Sequence, residues 1–213
     1  MTSNWHTAPM RSLLLVRHGE SRWNVEGRWQ GWIDIELTDH GVAQARARAR
    51  ALEATGHSFA AVASSDLVRA HRTAEILADH LGIGEHFVEP GLRERFGGDW
   101  QGLTTAEIHE RFPVERDLWL RGELPTPPGG ESLEAMLERF DAALTALDAI
   151  APPGPLLVVS HGGVSRAVAT RAGAQVEGVS GNLGGRWFEL GPSGLVAGAE
   201  LDELEAHHFD AGE

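Results

Sequence analysis

Apolar residues fall along this chain in two alternating patterns. Short unbroken runs, Ser12 to Val16, Ala60 to Ala63 and Leu156 to Val159, read as strands, with His86 to Val88 as a shorter one. A run without polar alternation predicts a strand covered on both faces, as in a parallel sheet. Between the runs, apolar residues recur at three- and four-residue spacing, which predicts helices. One follows the capping residue Thr38, with its stripe at Val42, Ala45, Ala49 and Leu52. A second, capped by Ser64 or Ser65, carries Ala70, Ala74, Leu77 and Leu81. Thr104 and Glu107 form a capping-box pattern ahead of Ile108 and Phe112. A long helix starts at Ser132 and carries Leu133, Leu137, Phe140, Leu144, Leu147 and Ile150, until the prolines at 152, 153 and 155 end it. Gly163 to Ala172 reads as helical. Gly185 to Leu190 and Leu195 to Leu201 read as a hairpin turning at Pro192-Ser193-Gly194. Residues 19 to 37 have no clear period and carry Gly27, Gly31 and three tryptophans, so they read as a functional loop.

Strands alternating with helices predict an α/β class with a largely parallel central sheet. Residues 1–10 are expected to be a loose tail, 11–205 a single domain and 206–213 an acidic tail. Composition narrows the chemistry. The 213 residues contain no cysteine, which excludes disulfides, thiolate nucleophiles and cysteine-zinc sites. All 18 basic residues are arginine, so lysine chemistry is excluded as well. The arginine fork remains, and it suits bidentate binding of phosphate. A net charge of −13 argues against nucleic acid or an anionic membrane as partner, but not against a small anion held in a local arginine cluster. No run reaches the length of a bilayer span and no signal peptide is recognisable, so a cytoplasmic protein is expected, as monomer or homodimer.

Two of the apolar runs end alike. LLLVRHGES places Arg17, His18 and Gly19 at a strand's carboxyl end, and LLVVSHGG does the same with His161, Gly162 and Gly163. Open α/β sheets bind ligands beyond those ends. The pattern predicts one pocket for a phosphoryl group, with one imidazole attacking it and a covalent intermediate dividing the reaction. Arg69, early in a helix after a strand, adds a cation beside a helix amino end. Glu94 sits in the glycine- and tryptophan-bearing stretch LRERFGGDWQGLT, where burial would raise its pKa and let it protonate a leaving alkoxide. Asn24 is placed to bind a phosphate oxygen or orient a histidine, and Gln30 and Gly31 to donate to the same anion. Arg95 and Gly162 join them as substrate-binding candidates, while Ser132 reads as a helix cap. No HExxH occurs, and no metal site is expected.

Five blocks together carry a family resemblance: LLLVRHGESRWN, LTDHGVAQA, SSDLVRAHRTA, LRERFGGDWQG, and GGES followed by VVSHGG. From about residue 12 to 190 the chain resembles the histidine phosphatase superfamily, the phosphoglycerate mutase-like proteins. The resemblance implies a three-layer α/β/α sandwich around a mostly parallel sheet. It implies His18 as the phosphorylated nucleophile, Arg17, Arg69 and His161 as the rest of the phosphate pocket, and Glu94 as proton donor. It implies Asn24 and Gly31 as secondary positions, a small phosphorylated substrate, and no cofactor. Gln101 stands where many members carry glutamate. The segment from Trp100 to Gly129 is short for a bisphosphoglycerate-dependent mutase, and the tail is acidic where those enzymes have a basic one. The expectation is therefore metal-independent hydrolysis of small phosphate monoesters, with a bisphosphoglycerate-dependent phosphoglycerate mutase as the alternative.

Overall fold

The structure, a computed structural model, describes residues 10–201 except 177 and 179. Nearly all of the expected N-terminal tail and the whole acidic C-terminal tail lie outside the described residues. Strand β1 is Arg11–Arg17, followed by a short helix α1 at Arg22–Val25 and by α2 at Asp39–Ala54. Then come β2 (Ala61–Ser64), α3 (Val68–Leu81) and β3 (His86–Val88). Helices α4 (Thr105–Arg111), α5 (Pro113–Leu120) and α6 (Leu133–Ile150) lead into β4 (Leu156–Ser160) and α7 (Gly162–Arg171). A hairpin of β5 (Gly185–Gly191) and β6 (Gly194–Glu200) closes the order.

The six strands form one sheet in the order β3-β2-β4-β1-β5-β6. The first four neighbours are parallel, and β5 and β6 add an antiparallel edge. Strand β4 enters between β2 and β1, so the two central strands come from opposite ends of the chain. Their pairing runs from Leu13 with Leu156 to Arg17 with Ser160. His18 and His161 are the next residues on each strand and therefore leave the sheet side by side.

The strand faces divide the core in two, as the pleat requires. Leu13, Leu15, Ala63 and Val158 pack with Met136, Phe140 and Leu144 of α6 and with Val164 and Val168 of α7. Leu14, Val16, Val62 and Val159 pack with Leu52 of α2 and with Ala74 and Leu77 of α3. Helices thus cover both faces, giving the three-layer α/β/α sandwich.

Three local expectations need correction. Helix α3 begins at Leu67 with no side-chain cap. The Ser65 hydroxyl accepts from Leu67 N instead, and Ser64 turns toward His86. The buried stripe of α6 runs through Met136, Phe140, Ala143, Leu144 and Leu147, leaving Leu133 46% and Ile150 64% exposed. Helices α1 and α5 fall where no helix was expected. The caps at Thr38 and Ser132 and the capping box at Thr104 are present.

Candidate active site

The site is built where β1 and β4 end. His18 is 3% and His161 0% exposed, and their rings meet edge-on with centroids 5.2 Å apart. The His18 backbone is held from two sides: its N–H donates to Ser160 O at 3.0 Å, and its carbonyl accepts from Asn182 Nδ2 at 3.0 Å. His18 Nδ1 lies 2.7 Å from Gly19 O. A carbonyl only accepts, so Nδ1 carries the hydrogen and Nε2 keeps its lone pair.

Arg69 is 1% exposed and reaches the site from the first turn of α3. Its Nε donates to His18 Nε2 at 3.3 Å, while its terminal nitrogens donate to Ile33 O at 3.0 Å and Gly31 O at 2.8 Å. The loop after β1 is thereby tied to the helix after β2. Arg17 donates one terminal nitrogen to Ser180 O at 2.7 Å, and its buried Nε has no partner among the described residues. Neither do the two ring nitrogens of His161. Buried polar atoms in folded proteins are nearly always paired, so such a concentration at one spot marks a place that takes a polar ligand.

Burial, and then the charges of Arg69 and Arg17, press His18 well below the ordinary imidazole pKa. His161 is pressed down the same way, by burial first and by Arg69 next. Both rings are therefore neutral near pH 7. Burial also lowers Arg69, to about 10, which leaves it charged at that pH.

Glu94 faces the same space from the other side. Its two carboxylate oxygens accept from Arg95 N at 2.8 Å and Gly163 N at 2.9 Å. A Cβ on Gly163 would stand 2.5 Å from Glu94 Oε1, so a larger residue there would push the carboxylate out of its present position. The Glu94 backbone is anchored by Arg139, which donates to the carbonyls of Gly91, Arg93 and Glu94 and pairs with Glu131 at 2.7 Å. Trp32 adds an indole N–H to Glu94 O at 2.6 Å.

These groups open on a cavity of about 720 Å³. Arg17, His18, Gln30, Gly31, Arg69, Glu94, Arg95 and Gly162 all line it. His161 is fully buried, edge-on to the His18 ring, and is not itself among the lining residues. Asn24 departs from expectation: it is not in the cavity wall. Its carboxamide oxygen completes the capping box of α1 with Ser21 and accepts from Asn182 Nδ2 at 3.3 Å. Through Asn182 it steadies the His18 carbonyl, the orienting half of the two roles assigned to it. Gln30 is held by the Ser21 hydroxyl at 2.8 Å. Arg95 lines the cavity, but its guanidinium is tied to the carbonyls of Pro125 and Glu131 and lies over Trp119. Asp66, near the start of α3, pairs with Arg93. Gln101 holds the loop, accepting from Trp32 N at 2.7 Å.

Sequence reasoning missed Asn182, Arg139 and the role of Glu131. Arg139 had a readable signal: it is a charged residue inside the apolar stripe between Met136 and Ala143. Asn182, following Gly181, looks like any turn asparagine. Among the described residues no group of three or more His, Asp or Glu could hold a metal ion, and no helix is long and apolar enough to cross a membrane.

Residues 13–179 match the family described as the histidine phosphatase superfamily, branch 1. Over 163 residues the chain is 38% identical to the 2,3-bisphosphoglycerate-dependent phosphoglycerate mutase of Methylobacterium radiotolerans, covering 74% of this chain and 77% of that protein. It is 38% identical over 162 residues to phosphoglycerate mutase-like protein 4 of Arabidopsis thaliana, covering 75% and 70% of the two chains. Its fold matches that of a mycobacterial glucosyl-3-phosphoglycerate phosphatase complexed with VO3, at a TM-score of 0.74 and 34% identity over 84% of this chain and 92% of that one.

Proposed function

The chain belongs to branch 1 of the histidine phosphatase superfamily, and on that footing we propose that it hydrolyses small phosphate monoesters, of sugar-phosphate or phosphoglycerate type, through a phosphohistidine on His18. It is an enzyme of the phosphatase type. The observation that carries the finer reading is the neutral Nε2 of His18, aimed into an arginine-lined cavity with Arg69 Nε 3.3 Å away.

The geometry suits a two-step reaction. A phosphoryl group seated against Arg17, Arg69 and His161 has its charge neutralised by fixed donors. His18 Nε2 attacks phosphorus as the bond to the alcohol oxygen breaks. Glu94 gives that oxygen its proton. The resulting Glu94 carboxylate then takes a proton from water, whose oxygen attacks the phosphohistidine. The N–P bond breaks, inorganic phosphate leaves, and both residues return to their starting states. Guanidinium groups and aimed N–H donors do the work a metal ion does in other phosphoryl-transfer sites.

The mutase name carried by the bacterial relative favours a second reading, an isomerase that needs 2,3-bisphosphoglycerate. The short segment between Trp100 and Gly129 and the phosphatase match in fold support hydrolysis instead. Release of phosphate from 3-phosphoglycerate and from sugar phosphates is to be measured in chelator, with and without 2,3-bisphosphoglycerate. We expect hydrolysis that is independent of the bisphosphate and absent in His18→Ala. Isomerisation that requires the bisphosphate would establish the mutase, and near wild-type hydrolysis by His18→Ala would remove the nucleophile.

A further inference from the structure

The cavity is far larger than a phosphoryl group. At about 720 Å³ it has the size of sites that enclose drug-sized ligands. The phosphate cradle occupies one end, and the remainder must receive the alcohol. Apolar side chains make much of its wall. Leu133 and Leu137 of α6 line it together with Trp29, Trp119 and Phe96. Leu133 is 46% exposed, a large apolar side chain left on a cavity wall rather than in the core. The three indoles of Trp29, Trp100 and Trp119 pack edge to face, with centroids 5.1 to 5.9 Å apart, so the aromatic wall is rigid.

One cation in this part stands apart. Arg171 is held by both oxygens of Asp141, at 2.7 and 2.5 Å, and Arg95 is tied to two carbonyls. Arg166 lines the same cavity and has no side-chain partner among the described residues. It lies one turn along α7 from Gly162, about 6 Å further from the helix start, on the same helix face. Among the described residues Glu94 is the only acidic one in the wall. In a chain of net charge −13, the wall is thus a basic surface with an unpaired guanidinium beyond an apolar floor.

We propose that the far part of the cavity is a subsite for alcohols made of a ring-bearing, largely apolar body ending in a carboxylate, with Arg166 receiving that carboxylate. The inference rests on the phosphatase reading above; it makes sugar phosphates and phosphoglycerates, which fill the phosphate cradle alone, poorer substrates than such esters. Apolar contact selects the body, and Arg166 selects the charge at its end. A short polyol phosphate fills neither part.

The test uses the whole protein and three esters whose alcohols ionise alike: ethyl phosphate, 4-carbamoylbenzyl phosphate and 4-carboxybenzyl phosphate. Phosphate release gives kcat/KM for each. We expect the carbamoylbenzyl ester to exceed the ethyl ester by roughly tenfold, since a buried ring contributes about that much or more. The carboxybenzyl ester should exceed the carbamoylbenzyl ester by roughly fivefold or more, and Arg166→Ala should remove most of that second ratio. Equal rates for all three esters would overturn the subsite. A ring preference that is blind to charge, or a charge preference that survives Arg166→Ala, would overturn the assignment of Arg166. Hydrolysis of none of the three, with 2,3-bisphosphoglycerate-dependent isomerisation present, would instead refute the phosphatase reading on which the subsite depends.

Discussion

Replacing Arg69 by methionine separates what this side chain does for the fold from what it does for chemistry. The substitution keeps an unbranched apolar stem out to the position of Nε and removes the guanidinium with its charge. Two carbonyls, Gly31 O and Ile33 O, lose a charged donor, at about 1.5 to 3 kcal/mol each. Against that stands the burden of holding a guanidinium at 1% exposure. Burial moves its pKa from 12.5 to about 10, which corresponds to about 3 kcal/mol of charge desolvation relieved by the substitution. The net loss of stability is therefore small, about 0 to 3 kcal/mol. The catalytic loss is not offset in this way. An arginine that neutralises a transferring phosphoryl group contributes about a thousandfold or more, or about 4 kcal/mol in the barrier. Arg69→Met should thus unfold in urea close to the wild-type midpoint while kcat/KM for a phosphate ester falls by roughly three orders of magnitude. Arg69 also lowers both imidazoles, so the acid limb of any residual activity should move upward in pH. A folded variant that keeps a tenth or more of wild-type activity would refute the place given to Arg69.

Two further expectations follow from the same geometry. Glu94→Gln should slow esters of poor leaving groups by about 10² or more while slowing 4-nitrophenyl phosphate far less, because a good leaving group needs no proton; equal slowing of both removes Glu94 as the acid. The two buried imidazoles set the response to acid: their folded pKa values lie below the ordinary 6.5, so the unfolded chain binds protons that the folded one does not. Their contribution to stability is complete above about pH 6.5 and is lost as pH falls below it, at up to about 2.7 kcal/mol per pH unit for the pair. Urea midpoints at pH 7.5 and 5.5 that coincide would contradict this, and in a His18→Ala variant the slope should be roughly halved.

Much of this site was written in local sequence because its parts are strand and helix ends. His18 and His161 each follow an apolar run and precede glycine, and a parallel sheet puts such ends on one edge. Arg69 was visible because a helix after a strand points its first turn to the same edge. What stayed hidden depends on long-range contacts. Asn182 reaches the His18 carbonyl across 164 residues of chain, and nothing near it in sequence reveals that. The α6 stripe was misread because Leu133 has the composition of a core residue but lines the cavity, whereas Met136 and Ala143 do the packing. Helix α5 falls in a stretch for which the sequence predicted no element; Pro113 is its first residue, where the missing N–H is harmless.

The pairing of β1 with β4 also acts as a gauge for the chemistry. Arg17 stands opposite Ser160, and the histidines follow one step beyond. A slip of one position would send Leu13 to Val16 to the wrong faces of the sheet and undo both halves of the core. Misplacing His18, the proposed nucleophile, is therefore as unfavourable as losing the fold itself. The reacting end is insured by the whole interior. The exposed wall positions Leu133 and Arg166 carry no such constraint, so substitutions there can test new substrates without endangering the fold.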